Sequence, residues 1–104
     1  MIARMWRGTA TTAKADDYHR HFATNVAPHL KKIDGHKGAL LLQRKVDDQV
    51  EFVVITWWES MESIKKFAGP TPEVAVVEPE AQAALSAFDE FVTHYEAAYH
   101  GAFF

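Results

Sequence analysis

Residues 51–69 read Glu51-Phe52-Val53-Val54-Ile55-Thr56-Trp57-Trp58-Glu59-Ser60-Met61-Glu62-Ser63-Ile64-Lys65-Lys66-Phe67-Ala68-Gly69, a strand pattern that runs straight into a capped helix. Val53, Val54 and Ile55 favour extended backbone because branching at Cβ restricts the side chain, and Phe52 with the two tryptophans supplies large surfaces to bury. Such a strand belongs in the middle of a sheet. Ser60 suits an N-cap and Glu62 the positive end of the helix dipole. Gly69-Pro70 stops a helix whose apolar side is Met61, Ile64, Phe67 and Ala68. Successive side chains point to opposite faces of a strand, so Trp57 and Trp58 face opposite ways. One of them can floor a small-molecule pocket beside the helix; both can equally be core.

Upstream, Ile2 to Gly8 alternates bulky residues and predicts a first strand. Thr9 to Ala13 supplies a turn with a threonine cap. From Lys14 to about Val26 the residues Ala15, Tyr18, Phe22 and Val26 recur at helical spacing. Pro28 interrupts or restarts that helix, leaving His29 to Ile33 as a short turn that ends at Asp34-Gly35. Gly38 to Val46 is a second strand, joined through Asp47-Asp48-Gln49 to the strand beginning near Val50 as a hairpin. Downstream, Pro72 and Pro79 stand where a first helical turn accepts proline, which predicts brief helices over 72–77 and 79–87. Phe91 to Tyr99 alternates again and predicts the last strand. The order β-α-β-β-α-β is the split βαβ, ferredoxin-like arrangement: an α+β domain with a four-stranded antiparallel sheet and its helices on one face. Val53, Ile55 and Trp57 would then leave the other face apolar, and a face of that kind predicts a homodimer in which two sheets pack together.

A chain of 104 residues accommodates one domain, spanning 1–104, around one core. A net charge of -3 gives no electrostatic reason to bind nucleic acid or an anionic membrane. No apolar run reaches the length of a membrane span, and the first residues enter a strand pattern directly rather than a signal-peptide core, so the expected location is cytoplasmic. With no cysteine, disulfides, thiolate metal sites and cysteine nucleophiles are excluded.

With that element order, the chain resembles the antibiotic biosynthesis monooxygenase (ABM) superfamily of dimeric α+β barrel proteins. The resemblance rests on Met1 to Gly8, on Thr56-Trp57-Trp58-Glu59-Ser60 with Phe67-Ala68, and on His94-Tyr95-Glu96. It implies a pocket for a small aromatic or quinol-like compound. In members that oxidise anthrones, without metal or flavin, the substrate's own enolate or phenolate reduces oxygen. It also implies a pocket tryptophan at Trp58, although a core aromatic under the following helix fits that position as well. The haem-degrading branch uses an Asn, Trp and His triad, and the matching positions here hold Arg7, Phe67 and Val77. Haem degradation is therefore a runner-up.

Six histidines offer acid–base chemistry, but no i, i+4 pair or acidic cluster accompanies them, so no metal is predicted, and the resemblance implies that no cofactor is needed. His19 and His21 read as the polar face of the first helix, with His21 one turn from Asp17. His36 and His100 read as solvated. His94 lies within a predicted strand and is the general-base candidate; a hydrogen-bonded histidine inside the dimer barrel is the competing reading. Arg4 and Arg7 face opposite ways, and the resemblance points to Arg7 as the partner for an enolate or carboxylate. A salt bridge to Glu59 or Glu96 explains Arg7 equally. No nucleophile elbow, phosphate loop or dinucleotide fingerprint occurs. The expected site is His94, Arg7 and Trp58, walled by Tyr18, Phe22, Phe67 and Val77. The expected function is a cofactor-independent monooxygenase, with a non-catalytic dimeric binding or stress-related protein as the alternative.

Overall fold

Strand β1 (Ile2–Thr11) and strand β3 (Gln49–Trp58) pair antiparallel along their whole length, with Ile2 opposite Trp58 and Thr11 opposite Gln49. Residues 1–101 are described in the computed structural model. Strand β2 (His36–Val46) returns through Asp47-Asp48 onto β3, and Asp47 takes the positive φ of 55° that the two-residue turn requires. The sheet runs β2-β3-β1, and the outer edge of β1 carries two short strands, β4 (Ala87–Phe88) and β5 (Thr93–Glu96). This is the expected α+β fold with an antiparallel sheet, its fourth strand position shared by two segments.

The final strand is therefore shorter than 91–99. β4 leaves β1 after Phe88, and β5 rejoins it at Thr93 opposite Met5. Residues 89–92 bulge outward between them and are held by the segment 72–77, through a Val74–Phe91 bridge and the bonds from Ala75 N to Glu90 O (2.9 Å) and Val92 N to Glu73 O (2.8 Å). Glu96 already faces Ile2, so beyond it β1 offers little further edge to pair with. The expected helix over 72–77 is instead this extended strap. A helix would spend its carbonyls internally, whereas those of Pro72 and Val74 point inward and accept hydrogen bonds from Arg4. The second expected helix forms over Pro79–Ala84 (α4).

The first helix is longer than its stripe suggests. α1 (Ala15–His21) continues through a π turn (Phe22–Val26) into α2 (Ala27–Lys31), with Pro28 accommodated in the first turn of α2. The Ala27 N–H reaches back five residues to the Phe22 carbonyl. The segment after the long central strand folds as read: Ser60 Oγ accepts from Ser63 N at 3.2 Å, and α3 (Met61–Ala68) ends at Gly69 with φ 84°.

Strand alternation sorts the side chains. Arg4, Trp6, Gly8 and Ala10 of β1 face the helices together with Phe52, Val54, Thr56 and Trp58 of β3. Under α1, the π turn and α4 lies one core cluster, built on Trp6, Tyr18, Phe22, Val50 and Phe52. Under α2 and α3 lies a second, built on Leu30, Trp58 and Ile64. Trp57 is on the opposite face, where Met5, Ile55 and Tyr95 line a broad groove. No helix among the described residues is long and apolar enough to cross a membrane.

Candidate functional site

Between the sheet and the helices lies a cavity of about 60 Å³. Its floor is Arg4, Trp6, Val54 and Thr56, its helical wall Tyr18, His21, Phe22 and Val26, and its roof the strap at Val76 and Val77 with Glu78. The π turn has a local consequence here, because it sets Phe22 and Val26 over the cavity one residue out of ordinary helical register.

Arg4 is the buried charged group of this cavity and is only 5% exposed. Its Nη1 donates to the Pro72 carbonyl and to His94 Nε2 (3.0 Å), and its Nη2 to the Val74 carbonyl (3.2 Å). The guanidinium lies over the Phe67 ring at 5.8 Å from its centre, a cation–π contact. Burial lowers the Arg4 pKa to about 10, with the Glu73 charge working the other way, so the group remains a cation at neutral pH. A guanidinium has five N–H groups and three are accounted for by these contacts, which leaves donor capacity for a ligand anion.

The residues picked from sequence divide between four places. Tyr18, Phe22, Phe67 and Val77 all line the cavity. Arg7 does not; it stands on the other face of the sheet, 59% exposed, with Nε 3.6 Å from Asp89 Oδ2 rather than against Glu59 or Glu96. His94 is half-buried beside Arg4 instead of in the cavity wall. An arginine only donates, so His94 Nε2 must accept, which fixes the proton of the neutral ring on Nδ1. Burial, and then the Arg4 charge, hold His94 below the ordinary histidine pKa, with Glu73 opposing.

Trp58 is fully buried and acts on the cavity through its neighbours. Its Nε1 donates to Thr56 Oγ1 at 2.7 Å, which leaves the threonine proton to point elsewhere, and its ring stacks 5.9 Å from Phe67. Phe67 in turn carries Arg4. Among the cavity residues not chosen from the sequence are Arg4 and His21. Arg4 could have been found by alternation alone, since it shares a face with Trp6. His21 looked like part of a polar helix face, yet it is 8% exposed because Glu78 and the start of α4 close over it. No group of three metal-ligating side chains occurs among the described residues.

The family model for antibiotic biosynthesis monooxygenase matches residues 1–72, which include β1, β3 and α3. The chain belongs to this family. Its helix-face cavity is thus built partly from the matched region and partly from Val76, Val77, Glu78 and Val92 beyond it. Among solved structures the fold is similar to a variant of SnoaB, a cofactor-independent oxygenase from Streptomyces nogalater, at 22% identity over 95% of this chain and 94% of that one, TM-score 0.67. It is similar to the haem degrader MhuD of Mycobacterium tuberculosis at 19% identity, 98% and 100% coverage and TM-score 0.63. It is also similar to the ActVA-Orf6 monooxygenase of Streptomyces coelicolor, bound to nanaomycin D, at 15% identity, 99% and 90% coverage and TM-score 0.59. No curated protein matches the sequence.

Proposed function

We propose that this chain is a cofactor-independent monooxygenase of a small aromatic compound able to form an enolate or phenolate. The observation that carries the reading is the convergence of a buried cation, Arg4, with Thr56 and the rings of Trp6, Tyr18, Phe22 and Phe67 on one cavity. Flat aromatic walls suit a fused-ring substrate, and a desolvated guanidinium favours its anion over its neutral form. The anion passes an electron to oxygen and the two recombine at carbon. A CH₂ group so becomes a carbonyl while the second oxygen atom leaves as water with the two hydrogens. The protein's part is to bind, ionise and shield the substrate.

The strap 72–77 that roofs the cavity is tied down largely through backbone bonds to Arg4 and to residues 90–92. A second copy of the chain seated on the apolar sheet face completes the reading as a single 1–104 domain that works as a homodimer.

The test is oxygen uptake with a panel of anthrones and hydroquinones, with chelator present and neither flavin nor metal added. Wild type should exceed the uncatalysed rate, and Arg4→Met should lose on the order of 10²-fold or more, the usual cost of removing a positioned charge partner. Phe67→Leu, a milder change, should mainly weaken substrate binding by roughly 1–3 kcal/mol. No uptake across the panel returns the chain to a binding protein that keeps the cavity without the chemistry.

A further inference from the structure

We propose that His21, through Nε2, is the proton acceptor of this cavity and that Glu78 at its mouth balances the imidazolium that forms; the inference rests on the oxygenase reading above. His21 is 8% exposed, lines the cavity, and its Nε2 has no hydrogen-bond partner among the described residues. A buried ring nitrogen without a partner is costly, and at a cavity wall it is a place prepared for a ligand proton. Glu78 Oε1 stands 3.7 Å away, too far to hydrogen-bond the neutral ring but near enough to pair with the charged one, and its side chain is 49% exposed. The other charged or titratable groups on this cavity are Arg4 and Tyr18, and burial pushes the Tyr18 phenol well above its ordinary range, so it stays protonated.

The contacts of the other ring nitrogen fit the Nδ1–H tautomer of His21 with one assignment of the Asn25 amide. Thr24 Oγ1 is 2.7 Å from the Arg20 carbonyl and 3.0 Å from the Asn25 side-chain oxygen, and His21 Nδ1 is 3.4 Å from the Asn25 side-chain nitrogen. Thr24 has one proton for two acceptors. With the Asn25 amide turned by 180° every contact is satisfied: Thr24 donates to Arg20 O, the Asn25 NH₂ to Thr24 Oγ1, and His21 Nδ1–H to the Asn25 carbonyl oxygen. In that tautomer Nε2 is a bare lone pair on a residue that lines the cavity. It takes the proton from the substrate's O–H or C–H bond, whose electron pair stays on the substrate as the enolate or phenolate that Arg4 holds. The proton later leaves past Glu78 to water. His94 is less suited, because its Nε2 lone pair is already engaged by Arg4.

The experiment combines nitrogen-detected imidazole NMR with turnover. In the free protein His21 should carry its proton on Nδ1 with Nε2 bare, and adding 1,8-dihydroxyanthraquinone should shift the Nε2 signal. A free protein with Nε2–H, or a signal unmoved by that probe, overturns the assignment. In turnover, His21→Gln should lower kcat by about 10²- to 10⁴-fold with a much smaller change in KM. Glu78→Gln, a rim change that leaves the fold intact, should lower kcat by about tenfold, within the range for a neighbouring charge. Should His21→Gln fail to fold, the NMR and Glu78→Gln arms still decide. Wild type that turns over while both variants keep full kcat overturns His21 alone; wild type with no oxygen uptake overturns the oxygenase reading and the base role with it.

Discussion

Arg4 does two jobs that compete for the same N–H groups: it fastens the strap at Pro72 and Val74, and it offers the cavity its positive charge. Removing it leaves the buried Pro72 carbonyl, the part-buried Val74 carbonyl and His94 Nε2 without donors, so Arg4→Met should cost about 2 kcal/mol or more and lower the melting temperature by roughly 8 °C or more. An unchanged melting temperature would show that the strap is held without it. The histidines predict a pH dependence of stability. Burial lowers the pKa of His36 from 6.5, and burial with the Arg4 charge lowers that of His94. The unfolded chain therefore takes up these protons at a higher pH than the folded chain. Their contribution to stability is complete above 6.5 and is lost as the pH falls from there through the lowered folded values. Melting at about pH 5.5 should come below that at about pH 7.5, and the gap should narrow in a His36→Gln, His94→Gln double variant. An equal gap would place the titration elsewhere. At this scale the site was half legible. Alternation correctly put Arg4 and Arg7 on opposite faces, but nothing in a helical stripe reveals that Glu78, 57 positions later in the chain, will fold over His21 and bury it.

Among the elements, those governed by local rules were readable and those governed by distant partners were not. The central strand and α3 follow from β-branching, Ser60 and Gly69, all within twenty residues. Ser60→Ala should cost about 1 kcal/mol in thermal denaturation, the usual worth of an N-cap. Gly35→Ala should cost more, because Gly35 has φ 92° and an added Cβ would collide with Ser63 in that same first turn. If the two changes cost the same, the close packing of the loop before β2 against α3 contributes little. By contrast, the strap at 72–77 has Pro72 placed for a helix start and became extended because Arg4, Glu90 and Phe91 supply partners that a helix would refuse. The π turn was equally hidden. Pro28 announced a disturbance, but only the structure shows it absorbed by a shift of register that leaves the helix unbroken.

For the whole molecule, the sheet's outer face remains to be accounted for. Leu42 at 45% and Tyr95 at 53% exposure join Val53, Ile55 and Trp57 there, an apolar surface that supports the proposed dimer. Light scattering at micromolar concentration should give twice the chain mass, and Ile55→Asp should halve it or unfold the chain, since burying an unpaired carboxylate is prohibitive. An Ile55→Asp protein that still dimerises would move the interface to another face. Titration with haemin should give no stoichiometric Soret change, because the triad positions hold Arg7, Phe67 and Val77; tight one-to-one binding followed by reductive ring opening would contradict this. If the chain places one atom of oxygen into an aromatic carbanion without a cofactor, turnover of an anthrone under ¹⁸O₂ with chelator present should give a quinone carrying one heavy oxygen by mass spectrometry. The rate should exceed the protein-free control and fall with Arg4→Met. Unlabelled product, or labelling no faster than without protein, would contradict it.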